Sequence, residues 1–554
     1  MRLAGAFGVL LTALVLAGAA QAAQPGEKEL PAPAPAPDDA LTDALESGRL
    51  TEAEYALERA RSLFQLGRVR REFGDVERAG PRDATLILRD LALRRQELTG
   101  ADRAVARGIL ARPDGGGVEV GNGWSPGAVT AAGCGAHLCV HWVETTVDAP
   151  PGADGDPDTI PPWIVLVGAA WEDAWTREID DRGYKPPLPD STSANHGPDP
   201  SLDVYVEDLG PSLVFGYCTT DDPTADEMNP AYDPLDFSVS AYCVVDDDFL
   251  DFGNEHTPLE FLEVTTAHEF QHASQFAYDF LEDGWLMEGT ATNMEEDLWP
   301  TISDNVNFLR SYSPLSRPSS PLDRWGLGNS EYGSWIFFRF LQEKLAGGNP
   351  AIIREIWERA DASDEALFGD QYSLRAVRTE LVQRGYVFAD VFARFGRTNR
   401  LLAYADDALA EYPRVPATFA RTLGRRSPNV RPRSWRINHL GTRVFTFRPG
   451  KGTTQGRLRV RVELPRHGSS YMRASVIVVN ADSSTATRVI RANAKRIART
   501  TTRFDRRDVK RVDVVLSNGS TRTACWLGVG PPYYSCMGTP RDDGRVFRLS
   551  ASLR

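Results

Sequence analysis

Residues 265–275 read Thr-Thr-Ala-His-Glu-Phe-Gln-His-Ala-Ser-Gln, which puts His268 and His272 four positions apart with Glu269 beside the first. Residues at that spacing share a face only on an α-helix. The stretch therefore fixes a helix and aims two imidazoles at one point. Pro258 suits a first helical turn, and the amphipathic run to Asp279 predicts a long helix. Both imidazoles can then reach one ion, and Glu269 can touch a water on it. Zinc lowers the pKa of such a water to about 7, which makes Glu269 the candidate general base. The bland alternative is a helix that carries two surface histidines.

Catalytic zinc usually takes three protein ligands and keeps one position open. In the metzincin pattern H-E-x-x-H-x-x-G-x-x-H the glycine would fall at Gln275 and the third histidine at Tyr278, so that class is rejected. Downstream, Asp283-Gly284-Trp285-Leu286-Met287-Glu288-Gly289-Thr290-Ala291 opens a second helix after a short loop. A carboxylate there can fold back on the first helix. Glu288 competes for the role with Asp279, Glu282, Asp283, Glu295 and Glu296. Glu295 lies two turns beyond Glu288, where a partner supporting a ligand would sit.

Trp285-Leu286-Met287-Glu288-Gly289-Thr290-Ala291 resembles the W-L-x-E-G-x-A segment of gluzincins such as aminopeptidase N. The resemblance implies His268, His272 and Glu288 as zinc ligands and Glu269 as base. Fifteen residues separate His272 from Glu288, a slightly tighter loop than in aminopeptidase N. The wider stretch is similar to bacterial secreted metalloproteases of the myxobacterial type and, more loosely, to the hyicolysin family. The matching pieces are 268–275, 285–296, Glu331-Tyr332-Gly333 and 353–357. The E-x-x-x-D pattern of thermolysin is not met, since Thr292 stands where Asp would be. The G-x-M-E-N exopeptidase signature is absent too. Enzymes of this kind need a donor for the developing oxyanion. Tyr332 is a candidate, although core packing beside Trp335, Phe337 and Phe338 accounts for it as well.

The rest of the chain supplies the setting. With 554 residues, two or three domains are expected. Met1-Arg2, an apolar run over 3–19 and Ala20-Gln21-Ala22 read as a signal peptide over 1–22, which predicts a secreted protein. Residues 23–38 form an Ala/Pro linker. From 39 to 100 the spacing is helical, and Thr51 and Glu54 mark a helix start. This segment is either a propeptide shielding the site or a permanent subdomain. Six cysteines fall in close pairs, Cys134 with Cys139, Cys218 with Cys243 and Cys525 with Cys536. In an exported chain they predict disulfides.

Strands dominate 101–251, and helices dominate 257–402. Among those helices are 332–345, 351–360 and 374–395. The fold expected over 101–420 is an α+β metallopeptidase domain with a strand-rich N-terminal lobe and a helical C-terminal lobe. Short alternating strands over 431–554 predict a β-sandwich. Residues 421–554 hold 29 Lys+Arg against 7 Asp+Glu, a balance of +22 in a chain of net charge −14. The basic domain could dock on the acidic body or contact anionic cell-wall polymers, and a solvated Arg-rich surface explains it equally well. It carries no nucleic-acid motif, and past the leader no segment is apolar enough to span a membrane. Asp246-Asp247-Asp248 could bind calcium or form a solvated turn.

Two functions follow. One is a zinc-dependent endopeptidase acting on extracellular protein or peptide. The other is a non-catalytic extracellular binding protein on the same scaffold.

Overall fold

The computed structural model describes residues 39–554 except 116–121, 194, 198, 227, 229–235, 327–328, 406–410 and 527–532. The expected leader and Ala/Pro linker lie outside the described residues.

Four helices come first: α1 (Ala40–Glu46), α2 (Glu52–Phe73), α3 (Ala84–Arg94) and α4 (Gly100–Ile109). Thr51 caps α2 through the expected capping box, its hydroxyl accepting from the Glu54 amide while Glu54 accepts from the Thr51 amide. Buried Leu57, Leu63, Leu86 and Leu91 join α2 and α3 to the main core, while Leu41 of α1 packs with Tyr55 and Leu66 in a smaller cluster.

The strand-rich lobe holds β1 (Thr130–Cys134), β2 (Leu138–Val143), α5 (Pro162–Trp175), β3 (Leu202–Glu207), β4 (Gly216–Thr219) and β5 (Tyr242–Asp246). The strands form one sheet in the order β1-β2-β3-β5-β4. Strands β2, β3 and β5 run parallel; β1 and β4 are antiparallel edges. The parallel strands are buried on both sides, which explains their near-continuous apolar sequences.

Helix α6 (Pro258–Tyr278) lies against this sheet. Thr257 and Glu260 form its capping box and Pro258 sits in its first turn. From Val264 to Tyr278 every residue is buried, so the helix runs through the core. Helix α7 (Gly284–Leu298) packs beside it, followed by α8 (Val306–Ser311), α9 (Ser330–Gly333), α10 (Trp335–Leu345), α11 (Ala351–Ala360), α12 (Leu374–Gln383) and α13 (Phe388–Leu401). Two helices expected from the sequence are each divided. The 332–345 helix breaks at Ser334, whose hydroxyl bonds to the carbonyl of Glu331 at 2.7 Å. The 374–395 helix ends at Gln383, because Gly385 takes φ +78°, the left-handed stop that glycine accepts without strain.

The β-rich part comprises β6 (Phe419–Leu423), β7 (Asn429–Ile437), β8 (Thr442–Pro449), β9 (Arg457–Glu463), β10 (Met472–Asn480), β11 (Thr485–Ile490), β12 (Ile497–Arg503), β13 (Val509–Asn518), β14 (Thr523–Ala524), β15 (Thr539–Pro540) and β16 (Arg545–Leu553). Its two main sheets, β11-β10-β13-β8-β6 and β12-β9-β16-β7, enclose one apolar cluster that includes Phe445, Val460, Val514 and Leu549. It docks on the helical part. Arg400 of α13 pairs with Asp513 at 2.9 Å, and the Cys536 amide donates to Asp283 at 2.7 Å.

The cysteines pair as neighbours: Cys134–Cys139, Cys218–Cys243 and Cys525–Cys536. Such bonds fit an extracellular protein. Among the described residues no helix is long and apolar enough to cross a membrane.

Candidate metal centre

His268, His272 and Glu288 converge with one ligand atom of each within 4.8 Å of the others, all fully buried. Helix α6 supplies the imidazoles from successive turns; α7 folds back through a five-residue loop and supplies the carboxylate. Glu288 Oε2 lies 3.1 Å from His268 Nε2 and 3.6 Å from His272 Nε2.

The outer nitrogens set the tautomers. His268 Nδ1 is 2.8 Å from Glu295 Oε1, and His272 Nδ1 is 2.7 Å from Gln275 Oε1. Gln275 is itself oriented, since its Nε2 donates to the carbonyl of Met287 and to Thr290 Oγ1, both at 3.1 Å. With Nδ1 as donor on both rings, each Nε2 presents a lone pair inward. Burial lowers the pKa of both histidines and so favours the neutral, metal-binding form. Burial also raises Glu288, with the neighbouring His268 opposing that rise.

His272 Nε2 and Glu288 Oε1 are buried without any hydrogen-bond partner. Buried polar atoms without partners are costly, and inward lone pairs facing a carboxylate oxygen repel unless a cation stands among them. The residues therefore fit a metal ion such as zinc, whose usual donors are imidazole nitrogen and carboxylate oxygen.

The other carboxylates near this loop are engaged elsewhere. Glu282 accepts from the Ser373 amide, Asp283 from the Cys536 amide, Asp279 from the Leu281 amide and Glu296 from Asn305. Glu295 is drawn to His268 and also pairs with Arg82 at 3.2 Å. Burial pushes its carboxyl up to about 8, and Arg82 opposes that rise. Thr292 makes no such contact. The histidines outside the motif stay apart: His137 pairs with Glu172, His141 with Asp203 and His256 with Asp304.

Around the group lies a shell of which sequence reading offered only Tyr332. Thr85 of α3 donates to Glu269 Oε2 at 2.7 Å and accepts from the Cys218 amide on edge strand β4 at 3.0 Å. Just before α3, the Pro81 carbonyl accepts from the Phe215 amide at 3.0 Å. Arg82 bridges Glu295 and Asp304, 2.9 Å from the latter, and Arg89 donates to the Glu282 carbonyl at 2.7 Å. Tyr332 stands over the group, its ring 6.1 Å from that of His268, and its hydroxyl donates to Asp83 at 2.8 Å. For the part from 82 to 95, the sequence signal is the high density of Arg and Asp beside apolar residues.

No protein-family model matches the chain, and no curated protein matches it. Among solved structures it has a likeness to the pre-peptidase C-terminal domain of a collagenase from Bacillus anthracis, at 12% identity and a TM-score of 0.15, over 25% of this chain and 97% of that one.

Proposed function

We propose that the protein is a secreted zinc-dependent endopeptidase that hydrolyses peptide bonds of extracellular polypeptides. One observation supports this above the others: three buried donors, His268, His272 and Glu288, share one point, and the Glu269 carboxylate sits in the next position on the same helix. His268, His272 and Glu288 would hold the ion, which supplies Lewis acidity and makes a nearby water more acidic. Glu269 then takes a proton from the attacking water and delivers it to the leaving amine. Its Oε1 makes no hydrogen bond, which leaves that oxygen for the proton transfer. Glu295 and Gln275 hold the imidazole tautomers throughout. The Tyr332 hydroxyl is assigned to the oxyanion once it is released from Asp83.

Residues 39–109, the expected helical segment together with the rest of α4, are proposed as a cover over the site. In the state described, one oxygen of the general base, the tyrosine hydroxyl, the Cys218 amide of edge strand β4 and the Phe215 amide just before it are all held by residues 81–85, so a substrate has no place until they move. A cover this well packed does not leave spontaneously, and cleavage after α4 would release it. The basic β domain could hold the enzyme on anionic wall polymers, with Arg459, Arg488, Arg499 and Arg554 gathered around one recess.

The same burial favours a second reading, a binding protein whose site stays covered. Zinc analysis with a casein digest decides between them. Stoichiometric zinc and proteolysis lost in Glu269→Ala support the enzyme; full activity in that variant refutes the assigned chemistry.

A further inference from the structure

A second group of carboxylates lies at the C-terminal ends of the parallel strands β3 and β5, away from the zinc ligands. Oxygens of Asp208, Asp246 and Asp247 come within 4.8 Å of one another. Asp246 is oriented by backbone amides from both loops, accepting from Leu209 at 3.0 Å and from Phe249 at 2.6 Å.

Asp247 is a separate observation. Its side chain is in a residue only 7% exposed, it makes no hydrogen bond among the described residues, and its oxygen faces the other two. Nearby, Glu207 Oε2 is also buried without a partner. The charged groups acting most strongly on the three are carboxylates throughout: one another, Asp148, Asp248 and Asp251. A buried carboxylate that lacks both hydrogen bond and cationic neighbour takes up a proton unless an ion compensates it. The crevice beyond the carboxyl ends of parallel strands is also where such folds take ligands.

We propose that Asp208, Asp246 and Asp247 bind a calcium ion that ties the loop after β3 to the loop after β5. All the donors are oxygen, which suits a hard cation and not zinc. The second loop runs directly into α6, so the ion steadies the approach to the helix that carries His268 and His272. In Phe249 and Phe261 that approach already has a stacked aromatic pair at 6.2 Å.

The test uses the full zinc-loaded chain, stripped of calcium and titrated with calcium chloride while bound calcium and thermal unfolding are followed. One calcium per chain and a saturable rise in Tm of several degrees are expected. Asp247→Asn should weaken binding at least tenfold and flatten the rise, and Asp208→Asn, at a less buried position, serves if the first variant fails to fold. The proposal is overturned by no bound calcium, by unchanged binding in both variants, or by an equal effect of magnesium at the same concentration. Because zinc content and peptidase activity are read separately, failure here leaves the zinc assignment standing.

Discussion

The hydroxyl of Thr85 donates to Glu269 Oε2 at 2.7 Å across 184 positions of sequence. The candidate base is thus held by a residue from the first helical segment, next to the edge strand that α3 covers. We predict that the intact chain digests casein at least about a hundredfold more slowly than the form cleaved after α4, the scale of losing general-base action. Rates before and after limited proteolysis, with the new N-terminus mapped by mass spectrometry, check this. Equal rates, or an active form that retains residues 82–89, would refute the cover.

Replacing Glu269 by Gln keeps the size and a hydrogen-bonding oxygen but removes the base. Peptide cleavage should fall about 10²- to 10⁴-fold while zinc stays at one per chain. Loss of zinc along with activity would mean that Glu269 has a structural role instead.

Glu295 and Gln275 touch the ligands and not the ion. Glu295→Gln and Gln275→Ala should each weaken zinc binding about 10- to 100-fold, read by competition with a chromogenic chelator. A Thr292 variant should leave affinity unchanged, because the Thr292 hydroxyl makes no hydrogen bond to either imidazole.

Gly289 follows Glu288 directly, and a Cβ there would meet Ser334 Oγ and lie 2.8 Å from the Phe338 ring. Gly289→Ala should cost about 1–3 kcal/mol by overpacking, seen as a lower denaturation midpoint. Since α7 is pushed from α10, zinc affinity should drop with it.

Asp90, on α3, is raised by burial to about 7, with Arg89 and Arg94 opposing; an unfolded chain has a value near 3.9. Between about pH 4 and pH 7 the unfolded chain has lost this proton and the folded chain keeps it, so stability falls as pH rises. Asp90→Asn lacks that dependence and should be the more stable protein above pH 7, by roughly 4 kcal/mol at most. Thermal unfolding of both proteins from pH 4 to 8 measures the gap, which should widen with pH.

Much of the site was legible because its logic is local. The four-residue spacing of His268 and His272 puts both on one helical face, and the segment around Glu288 singles out one of six carboxylates. Within 431–554 the apolar alternation of 444–447 and 512–516 marks β8 and β13 for the same reason. Strands β7 and β12 were not legible, because arginine and threonine occupy positions where an apolar pattern would show.

The sequence by itself determined the helix and the two imidazoles on one of its faces, since these depend on separations of a few residues, whereas for the cysteines it made neighbour pairing only the simplest choice. Tertiary structure decided that Glu295, only a candidate in the sequence, meets His268, that Gln275 meets His272, and that Thr85 and Arg89 of α3 reach Glu269 and the Glu282 carbonyl. Those contacts depend on how α3, α6 and α7 pack around a shared core, and side-chain reach across packed helices has no fixed period along the chain.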